Sequence, residues 1–66
     1  MANIQKMTKL RKIRKKKRIG LNMLARKAKL NAAYLSALER GVKDNPSKKV
    51  MDKLAEALGV SISELF

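Results

Sequence analysis

Eight of the ten residues in the run KLRKIRKKKR, from Lys9 to Arg18, carry positive side chains. The chemistry open to such a cluster is neutralisation of a polyanion: DNA, RNA or an anionic membrane surface. Across the chain 17 Lys and Arg face 5 Asp and Glu, for a net charge of +12, and the excess is one-sided. Residues 1–29 hold 12 basic residues and no acid, whereas residues 30–66 hold 5 of each. Catalytic chemistry finds no such support. There is no His and no Cys, so neither a Cys/His zinc site nor a His-activated nucleophile can be assembled. The five acids are scattered, with no paired constellation for acid–base work. No enzymatic activity, cofactor or metal is expected.

The three polyanions are not equally well served. No stretch approaches the roughly 20 apolar residues of a membrane span. The basic N-terminus is not followed by an apolar block, so a signal peptide is not expected. One Tyr, one Phe and no Trp leave neither a stacking platform for single-stranded RNA nor an interfacial anchor for lipid. Duplex DNA remains.

The elements that position these charges follow from periodicity and punctuation. With 66 residues and no Cys, one small core of packed helices must carry the fold, with or without a partner subunit. Ile4, Met7, Leu10 and Ile13 recur at i, i+3, which predicts a first helix from about Gln5 to Lys17. Arg18-Ile19-Gly20 ends it. A short second helix is expected over about Leu21 to Lys29, with Leu24, Ala25 and Ala28 inward. Asn31 is a suitable cap for a third helix from Ala32 to Arg40, with Leu35 and Leu38 inward and Gly41 as its stop. Val42 to Pro46 reads as a loop, because the residue before proline disfavours helix. Ser47 caps a fourth helix through about Leu58, closed by Gly59. Ser61 and Glu64 have capping-box spacing and open a last short helix ending at Phe66. The expected fold is all-α: one compact five-helix domain over residues 1–66.

Residues 19–41 are the informative core. Two short helices joined by a tight turn make a helix-turn-helix, whose second helix enters the major groove. Ala25 is the small residue that allows close approach, Leu30 plugs the turn, and Leu35 and Leu38 pin the second helix.

The run LARKAKLNAAYLSALERG, followed by NPS and LAEALGVSISELF, resembles the Xre/lambda-repressor-like helix-turn-helix family. Tyr34-Leu35-Ser36, Glu39-Arg40, Asn45-Pro46-Ser47 and Val60-Ser61 carry the likeness, which spans about residues 9–66. The resemblance implies a five-helix fold and a sequence-preferring, double-stranded-DNA-binding transcriptional regulator of repressor type. It implies a bacterial, cytoplasmic setting, nucleoid-associated when bound. It places Asn31, Ala32, Ala33, Tyr34, Ser36, Ala37 and Arg40 on or beside the groove-facing side of the recognition helix. Lys17, Arg18, Leu21, Asn22, Lys43 and Asn45 fall at phosphate-facing positions. It further implies that Arg14 and Glu39 pair, tying the first helix to the recognition helix. Glu39 is the only acid in the first 43 residues, and it follows Leu38 on a helix that must pack closely.

Two departures from the family pattern stand out. Gly20 and Leu21 occupy positions where a Thr or Ser cap and then a Gln are usual. Ala32, Ala33 and Ala37 stand where longer polar residues are usual, so bidentate bonds to purines are not available there. A reading surface this short of donors implies a homodimer on DNA, with Ile62, Leu65 and Phe66 as candidate interface. It also keeps a second reading open: a protein-interaction module of the same fold, itself an antagonist or antitoxin-like, with little base-specific reading; a protein antagonist is a candidate partner.

Overall fold

The computed structural model describes residues 8–43 and 45–66. Among the described residues five helices follow one another: α1 (Lys9–Lys16), α2 (Leu21–Ala28), α3 (Ala32–Glu39), α4 (Lys48–Leu58) and α5 (Ile62–Leu65). Among the described residues there is no strand.

Each helix starts where a short polar side chain, or none, leaves the backbone extended. Asn31 Oδ1 accepts the N–H groups of Ala33 and Tyr34 at 2.8 and 3.2 Å. Ser47 Oγ accepts Val50 N–H at 3.2 Å. The first helix begins at Lys9 rather than near Gln5, because Thr8 is extended and its hydroxyl caps Arg11 N–H. Ile4 and Met7, expected in the apolar stripe of this helix, lie outside the described residues.

The four longer helices end in one way. A residue in the left-handed region closes each: Arg18 (φ 57°), Lys29 (φ 56°), Gly41 (φ 78°) and Gly59 (φ 71°). The next N–H then bonds five residues back: Ile19 to Arg14, Leu30 to Ala25, Val42 to Ala37 and Val60 to Ala55. This is the Schellman arrangement with an apolar residue after the turn. Lys29 therefore terminates α2 instead of extending it, and Arg40 lies just past α3.

Leu10, Leu24, Leu35, Leu54 and Leu65 are the largest fully buried side chains, one from each helix. Ala25 and Ala28 are buried between them, and α2 packs on both α3 and α4. Leu30 lies half-buried under the turn. Leu65, expected as part of an interface, is 2% exposed and belongs to this core, whereas Phe66 is 42% exposed.

The last helix is held by a carboxylate. Ser61 N–H and its hydroxyl both donate to Glu64 Oε2, at 2.9 and 3.0 Å. These bonds, the backbone one foremost, hold the Glu64 carboxyl below its ordinary 4.5, and Lys17 adds to the effect. A depressed carboxyl stabilises the fold above its ordinary value and loses that contribution as pH falls through the lowered one. The stability difference between the parent and Glu64→Gln should therefore be flat at neutral pH and shrink below about pH 4.5. A difference that persists unchanged into strong acid would remove the carboxylate from the argument.

Candidate nucleic-acid interface

The site is assembled on α1, α2 and α3, and one ion pair sets their relation. Arg14 reaches from the last turn of α1 to Glu39 at the end of α3, with Nε to Oε2 at 2.5 Å and Nη2 to Oε1 at 2.9 Å. Its remaining nitrogen, Nη1, donates to the Ile19 carbonyl at 2.8 Å. The side chains are 11% and 4% exposed. A planar guanidinium is suited to this two-point grip on a carboxylate. Thr8 adds a second tie, its hydroxyl donating to the Glu39 carbonyl at 2.9 Å. The far end of α3 is thus fixed against both ends of α1.

That geometry leaves a definite outer face on α3. Leu35, Leu38 and Glu39 are buried, and at 100° per residue the opposite side is centred on Ala33, Ala37 and Arg40, with Ser36 adjoining. Ala33 and Arg40 are exposed, while Ser36 and Ala37 are half-buried. Ala32 and Tyr34 turn aside and pack against the core, so the outward face is narrower than the family positions suggest. Asn31, exposed, is committed to its capping bonds.

The start of α2 lies beside this face. A cleft of about 140 Å³ is lined by Arg11, Arg14, Leu21, Ser36, Glu39 and Arg40, joining all three helices. Gly20 makes no side-chain cap, and among the described residues the N–H groups of Leu21, Asn22 and Met23 have no acceptor. Such uncapped N–H groups, at the positive end of the helix dipole, suit an oxyanion. The Leu21 side chain itself packs on the core. Lys17, Arg18, Asn22, Lys43 and Asn45 are exposed. Arg11 was not singled out by sequence reasoning, although its spacing of i, i−3 from Arg14 puts both on one side of α1.

Gly20 offers a simple check on this helix start. Its φ is −71°, and a Cβ there would meet nothing within 4 Å. Gly20→Ser should add the missing cap and restrict the unfolded chain, for a gain of about 0.5–1 kcal/mol. Thermal unfolding should shift up by roughly 2–8 °C; a lower midpoint would mean that the α2 start is not as described.

A family model for helix-turn-helix proteins matches residues 10–65. The chain is a member of the helix-turn-helix family, of the Xre-like type. This helix-turn-helix chain is 40% identical over 57 residues to the HTH-type transcriptional regulator SlrR of Bacillus subtilis, covering 86% of itself and 38% of SlrR. It is 38% identical over 56 residues to the regulator SinR of the same organism, covering 85% of itself and 50% of SinR. The chain therefore spans half or less of the length of these regulators. Among solved structures it resembles the restriction-modification controller protein C.AhdI of Aeromonas hydrophila, with a TM-score of 0.82, 36% identity and coverage of 88% and 86%. It resembles SinR, solved in complex with DNA, with a TM-score of 0.82, 36% identity and coverage of 88% and 95%. SinR has also been solved with the SinI protein; there the TM-score is 0.80 at 37% identity, covering 86% of this chain and 55% of that one.

Proposed function

We propose that residues 1–66 form one helix-turn-helix domain, with its core at 19–41, that binds duplex DNA with sequence preference as part of a repressor-type transcriptional regulator. The observation that carries this reading is the shared cleft: Leu21 at the uncapped α2 start, Ser36 beside the outer face of α3, and the three arginines Arg11, Arg14 and Arg40 border one space. A phosphate at the Leu21–Asn22 end would set α3 against the major groove. Lys17 and Arg18 would hold the same strand, and Lys43 and Asn45 the strand across the groove. SinR, similar over nearly all of this chain, was solved with DNA, which supports the assignment.

The domain would act as a homodimer on DNA, in the cytoplasm and nucleoid-associated when bound. The exposed Phe66 supports a subunit contact near the end of α5. No enzymatic step is assigned to it. A second reading, docking of a protein antagonist, draws support from SinR having been solved with SinI. Anisotropy titration of a fluorescent operator-length duplex at low salt separates the two. Binding is expected; its absence would transfer the assignment to a protein partner.

A further inference from the structure

Residues 30–38, from Leu30 to Leu38, contain no charged side chain, the longest such run in a chain of net charge +12. The run includes nearly all of α3, and its outward part is the Ala33, Ser36, Ala37 face. The one long donor on that face is Arg40, which comes after the last helical residue and whose Nε lies 3.4 Å from Ser36 Oγ. The leading turn of a recognition helix penetrates deepest and meets base edges, while its trailing end stays nearer the backbone. Here the leading turn presents the methyl of Ala33, followed one turn later by that of Ala37. Neither can donate or accept a hydrogen bond.

From this arrangement we infer that α3 reads thymine by its C5 methyl group rather than purines by paired hydrogen bonds. The inference rests on the duplex-binding reading above. On the major-groove edge of a base pair the thymine methyl is the one alkyl group, and it is the feature with which a bare Cβ makes its best contact. Every polar edge atom placed against Ala33 or Ala37 would instead lose its water without a partner. Selectivity comes from both terms: methyl on methyl gains, and a cytosine N4–H₂ or an adenine N6–H₂ facing an alanine loses. Ala33 is the principal reader and Ala37 the second. Arg40 and the basic residues around the cleft hold phosphates and supply affinity without sequence.

The test acts on the DNA, so protein folding cannot confuse it. Duplexes are selected from a random library with this chain, then resynthesised with deoxyuridine replacing thymine at one position at a time. Each selected half-site should contain one or two thymines whose loss of the methyl weakens binding about fourfold, the equivalent of roughly 0.8 kcal/mol for one buried methyl-sized group. Ala33→Gly should erase the thymine-to-uracil ratio at one of these positions, whatever it does to overall affinity. Unchanged affinity for uracil at every position, with duplex binding and its salt dependence intact, overturns this inference alone. Absence of duplex binding at low salt overturns the DNA-binding reading, and this inference with it.

Discussion

Glu39→Ala is expected to lower the folding free energy by about 3–5 kcal/mol, the usual cost of removing one member of a buried ion pair. For a domain of this size the total is only about 3–10 kcal/mol at the common per-residue stability. The variant should therefore be largely or wholly unfolded at moderate temperature. The reason lies in what remains. Without Glu39 the Arg14 guanidinium, 11% exposed, keeps only the Ile19 carbonyl. In Arg14→Ala the carboxylate, 4% exposed, loses both of its side-chain hydrogen bonds, with a comparable penalty. The double variant should cost less than the sum of the singles, and replacing both residues by apolar side chains of similar volume should recover much of the loss. The exposed pair Lys48 and Asp52, at 3.1 Å with side chains 78% and 53% exposed, is the internal control. Asp52→Ala should change stability by no more than about 1 kcal/mol. Urea midpoints compared at constant m decide the matter. A Glu39→Ala midpoint equal to that of the parent would mean that α1 and α3 are not clamped as described.

Affinity for duplex DNA should fall about a thousandfold between 50 and 200 mM salt. Six phosphates neutralised would give a log–log slope of about −5, since each displaces close to one condensed counterion. The exposed basic residues around the cleft and loop, Lys17, Arg18, Arg40 and Lys43, are candidates for that role. Arg14 is not, because Glu39 already neutralises it. Arg18→Ala and Lys43→Ala should each reduce the slope by about one and weaken all sequences alike, as expected for phosphate contacts. Anisotropy titrations at four or five salt concentrations measure this directly. A slope near zero would be incompatible with phosphate neutralisation by these residues.

Much of the fold was legible because certain residues have local jobs that show in their type. Asn31 and Ser47 cap, Gly41 and Gly59 accept a left-handed backbone, and the leucines mark the inner face of each helix. The start of α1 was misplaced because apolar i, i+3 spacing continues through Met7 to Ile4. Period alone does not reveal that Thr8 is extended and acts as the cap. Arg18 and Lys29 as left-handed terminators were hidden among chemically similar neighbours, since nothing in a lysine announces a positive φ. Composition could not separate Arg14 from the seven other cations of its run; family likeness and the isolation of Glu39 could. At the site, the groups around the α2 start were legible by position. The inward turn of Ala32 and Tyr34 was not, because alanine fits either side of a helix and tyrosine can shield a core edge.

The clamp between Arg14 and Glu39 also bears on the order of events when the chain folds. The connections between successive helices are short, and helical chains dominated by local contacts fold within microseconds to milliseconds. The guanidinium and carboxylate are 25 residues apart in sequence, so their grip must close across the whole of α2. It needs α1, α2 and α3 already in place, so it is expected to close late, with Arg14→Ala and Glu39→Ala giving φ-values near zero in folding kinetics. An interaction made only beyond the rate-limiting barrier leaves the folding rate alone and slows escape from the native state. The lifetime of the native α1–α3 arrangement, more than the speed of its formation, is then expected to depend on this pair.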